Sequence, residues 1–143
     1  MRSGIIVLVE DRDDDIELTL RAFRKSSIGN DVVVLRDGAE ALEYLIGEER
    51  QAGRLPMPEI VLLDLNLPKV SGLDVLRKVR ADEHMKRVPV VILTSSNEER
   101  DIVASYDLGA NSFIQKPVDF AQFVEATRQL GLYWLVLNRG APT

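Results

Sequence analysis

A doubly wound α/β fold, built on a five-stranded parallel sheet with helices on both faces, is predicted for this chain by three observations. Five short runs of apolar, largely β-branched residues recur along it. Amphipathic helical patterns separate the runs, so that strand and helix alternate five times. Four of the five runs lead directly into reactive side chains, and an open parallel sheet places its ligand site at the carboxyl ends of its strands.

The first run, Ile5-Ile6-Val7-Leu8-Val9, leads into Glu10-Asp11. Apolar residues on consecutive positions read as a strand buried on both faces. A first helix follows, with Asp14 or Asp15 as its cap and Ile16, Leu20 and Phe23 as its apolar stripe. The second run, Val32–Leu35, ends in Arg36-Asp37 and carries no evident chemistry. A second helix from about Gly38 to Gly47 offers Ala41, Leu42, Leu45 and Ile46. The polar, then proline-rich stretch 47–59 reads as an extended loop, since Pro56 and Pro58 bar regular helix. The third run, Ile60–Leu63, leads into Asp64, and a third helix starts near Ser71 with Leu73, Leu76 and Val79. The fourth run, Val90–Leu93, leads into Thr94-Ser95. The helix after Asn97 shows Ile102, Val103, Tyr106 and Leu108 and stops at Gly109. The fifth run, Ser112–Gln115, leads into Lys116-Pro117, and the last helix starts at Asp119 with Gln122 as capping-box partner.

Composition bounds the reading. The 143 residues suit one domain, 1–143, with the last helix extended over about 130–143. Cysteine is absent, which removes disulfide frameworks and thiolate metal sites. A formal net charge of −5 disfavours nucleic acid as a partner. The N-terminal apolar run is far shorter than the ~20 residues that span a bilayer, so no membrane is expected and the location is expected to be cytoplasmic.

The strand ends bring three acids, a hydroxyl and a lysine together. Asp64, at the end of a buried strand, suits a nucleophile toward phosphorus. Carboxylate and phosphoryl group repel each other, so the attack needs a divalent cation on the phosphoryl oxygens. Mg²⁺ prefers carboxylates, a carbonyl and water, and Glu10 and Asp11 supply carboxylates. Lys116 can pair with a phosphoryl oxygen as a point charge, and the Thr94 hydroxyl can donate to another. Taken singly, each residue has a bland explanation: a turn aspartate, a solvated acidic pair, a loop Lys-Pro. Their recurrence at matching strand ends carries the argument.

Val9-Glu10-Asp11, Leu63-Asp64-Leu65-Asn66-Leu67-Pro68 with Gly72, Leu93-Thr94-Ser95-Ser96 and Phe113-Ile114-Gln115-Lys116-Pro117 resemble the receiver domain of two-component response regulators. The resemblance covers residues 5 to about 130. It implies a sheet of order 2-1-3-4-5 and Mg²⁺-dependent phosphorylation of Asp64 by a sensor histidine kinase. It also implies Asp11, Glu10, Asp64 and the Asn66 carbonyl around the metal, Asp11 being the more direct of the acidic pair. Thr94 then corresponds to the switch hydroxyl, Phe113 to the aromatic that turns inward, and Lys116-Pro117 to a cis bond. The acidic pair Glu-Asp, the long loop at 47–59 and the tail Tyr133-Trp134-Leu135 resemble single-domain regulators paired with bacterial phytochromes. Such a protein is a phosphoacceptor, capable of self-catalysed phosphorylation and dephosphorylation, and not a turnover enzyme.

Two alternatives are weaker. An aspartyl-nucleophile phosphatase usually carries a second Asp two residues after the first, and this chain has Asn66, whose amide exchanges no proton. A receiver-like binding module that is never phosphorylated usually lacks one of the acids or the lysine. The lone histidine, His84, reads as a surface residue, so the phosphoryl group comes from another molecule. In the last helix, Phe120, Phe123, Val124, Thr127, Leu130 and Trp134 form the core stripe. Leu132, Tyr133 and Val136 fall off it and are the candidate interface of a homodimer.

Overall fold

The computed structural model describes residues 4–95, 98–116 and 119–130. Its strands are β1 (Ile5–Val9), β2 (Val32–Leu35), β3 (Pro58–Leu63), β4 (Val90–Thr94) and β5 (Ser112–Gln115). The helices are α1 (Asp13–Lys25), α2 (Gly38–Ile46), α3 (Glu48–Gln51), α4 (Gly72–Ala81), α5 (Glu99–Asp107) and α6 (Phe120–Leu130). All strand pairs are parallel, in the order β2-β1-β3-β4-β5. The fold class and strand order therefore match the expectation.

Alternate side chains of each central strand enter separate cores, because successive residues of a strand point to opposite faces. Val7, Val9, Val61, Leu63 and Ile92 pack with Ala41 and Leu45 of α2 and with Val75, Leu76 and Val79 of α4. Ile6, Leu8, Ile60, Leu62 and Val91 pack with Ile16 and Phe23 of α1. Leu93 joins Ala22 of α1 to Phe123 of α6. The consecutive apolar runs thus serve two cores at once. The outer strands β2 and β5 are only half-buried, as edges are. Among the described residues, no helix is long and apolar enough to cross a membrane.

Three local expectations need correction. Neither Asp14 nor Asp15 caps α1: the cap position is Arg12, without a side-chain cap bond. The three acids Asp13, Asp14 and Asp15 occupy the first turn instead, where the helix dipole favours negative charge. Asp15 turns away to an ammonium at the sheet's end. The stretch 47–59 is not all loop. It contains the turn α3, and β3 already starts at Pro58, a first-strand position where a missing N–H costs no ladder bond. The stripe assigned to α5 is also wrong, since Val103 and Tyr106 are each 50% exposed and the helix buries Ser105. Its hydroxyl donates to the Asp101 carbonyl at 2.7 Å, which lets a polar residue face the interior. At α6, Asp119 accepts the Gln122 N–H at 3.2 Å, one half of the expected capping box. Phe123 and Thr127 are buried as read, and His84 is exposed. Ser96, Pro117, Leu132, Tyr133 and Val136 lie outside the described residues.

Arg50 of α3 explains why a charged loop residue is buried. Its guanidinium donates to the carbonyls of Leu45 (3.2 Å), Tyr44 (3.4 Å), Leu55 (3.3 Å) and Pro56 (2.8 Å). Tyr44 and Leu45 belong to the last turn of α2, whose carbonyls lack intrahelical partners. One planar fork thus caps α2 and ties it to the segment entering β3. Arg50→Met keeps the apolar volume but leaves several buried carbonyls unpaired. It should lower unfolding free energy by about 2–3 kcal/mol in urea denaturation.

Candidate functional site

The parallel ladder delivers the candidate residues at the carboxyl ends of β1, β3, β4 and β5 to one end of the sheet. Val9, Leu63 and Ile92 lie side by side in register, so the residues that follow them emerge together. Hydrogen bonds continue past the strand ends. The Glu10 N–H donates to the Leu35 carbonyl at 2.9 Å, and Asp64 N–H donates to the Val9 carbonyl at 3.1 Å. Lys116 N–H donates to the Thr94 carbonyl at 2.6 Å. These bonds fix backbone position just where the reactive side chains begin.

Helix α4 starts hard against Asp64. A Cβ on Gly72 would stand 2.2 Å from the Asp64 carbonyl oxygen and 2.6 Å from the Leu65 Cα. Only glycine permits that approach. Gly72 N–H donates to the Leu65 carbonyl, and the Ser71 hydroxyl caps the helix by accepting the Asp74 N–H.

Four of the predicted residues are almost fully enclosed: Glu10 is 2% exposed, Asp64 5%, Thr94 0% and Lys116 8%. Asp11 is half-buried. Carboxylate oxygens of Glu10, Asp11 and Asp64 lie within 4.8 Å of one another. Lys116 Nζ donates to Glu10 Oε1 at 2.5 Å and to Asp15 Oδ2 at 2.9 Å, with Asp64 Oδ2 at 3.6 Å. Asp64 Oδ1 accepts the Asn66 N–H at 3.1 Å, and the Asn66 amide reaches the Thr94 hydroxyl at 3.5 Å. Phe113 on β5 is partly buried and packs on the α2/α4 core.

Electrostatics follow from this crowding. Burial, reinforced by the Asp64 charge, pushes the Glu10 carboxyl up to about 7 even though its bond to Lys116 pulls the other way. Lys116 is desolvated too, yet its bonds to Glu10 and Asp15 hold its pKa above the ordinary lysine value. Three oxygen-bearing acids, close together and short of positive charge, are a donor set that fits a hard divalent cation.

Sequence reasoning missed Asp15, which it read only as a cap. Its one signal was spacing: Asp15 lies one turn before Thr19, which is buried on the face of α1 that also carries Ile16 and Phe23. Two clefts open nearby, one past Asn66 and one past Lys116. One, of about 400 Å³, is lined by Leu65, Asn66, Ser71, Ser95 and Glu98 among others. The second, of about 260 Å³, is lined by Arg12, Asp15, Thr19, Lys116 and Phe123 among others.

Comparison with known proteins agrees with this geometry. The family described as the response regulator receiver domain matches residues 6–128. The response regulator Rcp1 of Synechocystis sp. is 35% identical over 131 residues, 92% of this chain and 88% of that protein. Its Mn(2+)-bound crystal form gives a TM-score of 0.84 at 33% identity, covering 97% of this chain and 99% of that one. The phosphorylated cyanobacterial phytochrome response regulator RcpA gives a TM-score of 0.87 at 38% identity, over 99% of this chain and 100% of that one. The bacteriophytochrome response regulator AtBRR is 50% identical, with a TM-score of 0.74 over 97% and 100% of the two chains. With the motif residues converging at the ends of a 2-1-3-4-5 sheet, these matches show that the chain belongs to the response regulator receiver family.

Proposed function

We propose that this protein accepts a phosphoryl group on Asp64 from the phosphohistidine of a sensor histidine kinase and signals through a changed binding surface. The observation that carries this is Asp64 itself: a 5% exposed carboxylate with Lys116 Nζ at 3.6 Å and two further acids within 4.8 Å. Likeness to RcpA and AtBRR makes a phytochrome the favoured kinase, and a cytoplasmic site of action belongs to the same reading.

In the transfer, an Asp64 carboxylate oxygen forms a bond to phosphorus. The bond from phosphorus to the donor imidazole nitrogen breaks, and its electron pair leaves with that nitrogen. A divalent cation, in the reading Mg²⁺, would neutralise phosphoryl oxygens when bound by Asp11, Asp64, the Asn66 carbonyl and, through water, Glu10. The Asn66 N–H holds one Asp64 oxygen and so orients the other. Lys116 moves to a phosphoryl oxygen as a point charge. The Thr94 hydroxyl donates to another oxygen, the segment after β4 follows it, and Phe113 fills the space beside it. The result is a two-state population shift. A homodimer through α5, β5 and α6 is part of the same proposal. Its support is the half-exposed Val103 and Tyr106 of α5.

The first test is Asp64→Asn. The amide is no nucleophile, so acetyl phosphate with Mg²⁺ should add a phosphoryl mass to the parent and none to the variant. In sedimentation, only the labelled parent should shift toward dimer. Stoichiometric acyl-type label on the variant would remove Asp64 from the mechanism.

Mg²⁺ affinity should depend on pH in a defined direction. With no cation present, Glu10 holds its proton below about pH 7, and a bound cation must displace it. Calorimetric affinity should thus be nearly flat above that value and roughly tenfold weaker at pH 6 than at pH 8. Glu10→Gln should flatten this profile. Asp11→Ala should weaken binding more than Glu10→Ala. Equal affinity in Asp11→Ala and the parent would count against the ligand assignment.

Thr94→Ala should still take label on Asp64, with partner binding or dimerisation after phosphorylation reduced about tenfold, as loss of one charge-assisted hydrogen bond implies. An undiminished response would place the switch elsewhere.

A further inference from the structure

Lys116 is shared by anions that a phosphoacceptor does not all require. Its Nζ donates to Glu10 Oε1 at 2.5 Å and Asp15 Oδ2 at 2.9 Å, while Asp64 Oδ2 stands off at 3.6 Å. An ammonium has three protons, so two are engaged away from the nucleophile. Glu10 belongs to the acidic pair after β1. Asp15 does not: it sits in the first turn of α1 and reaches Lys116 where α1 packs on α6. Asp15 has a second cationic neighbour, Arg12 Nε at 3.5 Å, and its side chain is 24% exposed. The 260 Å³ cleft that Arg12, Asp15, Thr19 and Lys116 line leaves room for the pair to separate.

We propose that Asp15 is a positioning residue that holds Lys116 back from Asp64 in the unphosphorylated protein and competes with the phosphoryl group for the same ammonium. The proposal rests on the phosphoacceptor reading above. As the bond from Asp64 to phosphorus forms, a phosphoryl oxygen needs the ammonium within hydrogen-bond reach. Lys116 gets there by lengthening its bond to Asp15, whose carboxylate then turns to Arg12 and solvent. Loosening that contact is part of the barrier to phosphorylation. Asp15 also carries the event outward, since its release removes a contact that joins α1 to Lys116 at the end of β5.

The test is the initial rate of Asp64 labelling by acetyl phosphate at saturating Mg²⁺. In this reaction Asp64 oxygen bonds to phosphorus, the phosphorus–oxygen bond to the acetyl group breaks, and acetate leaves with the electron pair. Asp15→Asn should label roughly fivefold faster than the parent, the size expected for one broken coupling between contacting residues. Asp15→Ser should behave the same way, and Asp15→Glu, which restores the charge, should return the rate toward the parent. Asp14→Asn is the control: it removes an equal charge one residue away, from a side chain that is 74% exposed and pairs with Arg12. Its rate should match the parent. In a Lys116→Met background, Asp15→Asn should give no acceleration. An unchanged or slower rate in both Asp15→Asn and Asp15→Ser would overturn the proposal. So would equal acceleration by Asp14→Asn, or acceleration that survives in Lys116→Met. Absence of label on the parent would instead overturn the phosphoacceptor reading beneath it.

Discussion

One ammonium among four carboxylates is the interaction on which the site depends. Glu10, Asp15 and Asp64 all lie within ion-pair distance of Lys116 Nζ, and Asp11 joins Glu10 and Asp64 in the same cluster. Removing charges from water costs several kcal/mol per ion unless they are paired. Here the pairing is incomplete: Lys116 faces Glu10, Asp15 and Asp64 at once, and, of these three, Arg12 adds a second positive charge only at Asp15 among the described contacts. The raised pKa of Glu10 comes first from its burial, and the Asp64 charge adds to it. A fully neutralised cluster would have little affinity for a cation, and an unpaired one would push the strand ends apart. Lys116 makes the cluster tolerable while keeping it short of positive charge.

The scaffold holds this arrangement by elementary means. Parallel strands in register present their carboxyl ends at one level, and ladder bonds run on to Glu10, Asp64 and Lys116 themselves. Gly72 lets α4 start in contact with the Asp64 backbone. Arg50 closes the end of α2 and secures the segment entering β3, at the far end of the strand that leads into Asp64. None of these features is chemical in the catalytic sense, yet each limits how far Asp64 can move.

The opposite edge is built differently. Thr94 is fully buried, but α5, which follows it, buries Ser105 and leaves Val103 and Tyr106 half in solvent. A helix with so little apolar burial can shift at small cost. Firm attachment of Asp64 beside loose attachment of α5 is what the proposed phosphorylation switch would use. Lys116 lies between the two regimes, since its backbone is bonded to Thr94 while its side chain is bonded to α1.

By itself the sequence determined which segments are strands, where they end, and which residues those ends carry. Short consecutive apolar, β-branched runs bounded by turn signals read as strands of a parallel sheet, and their polar successors then gather at one end. Glu10, Asp11, Asp64, Thr94 and Lys116 were legible for that reason. The strand order came from resemblance to receivers and not from patterning, because local periodicity does not say which strands are neighbours. Tertiary structure alone decided three things. It turned Asp15 from an apparent cap into a partner of Lys116, across 101 residues of sequence. It buried Arg50 in a stretch that reads as polar loop, because the free carbonyls of α2 are visible only once the chain folds back. It exposed Val103 and Tyr106, because α5 meets the sheet near its edge strand β5 and has little core to face. Asp15 meets a residue distant in sequence, whereas Arg50 reaches carbonyls only five or six residues away, which apolar periodicity does not mark as unpaired.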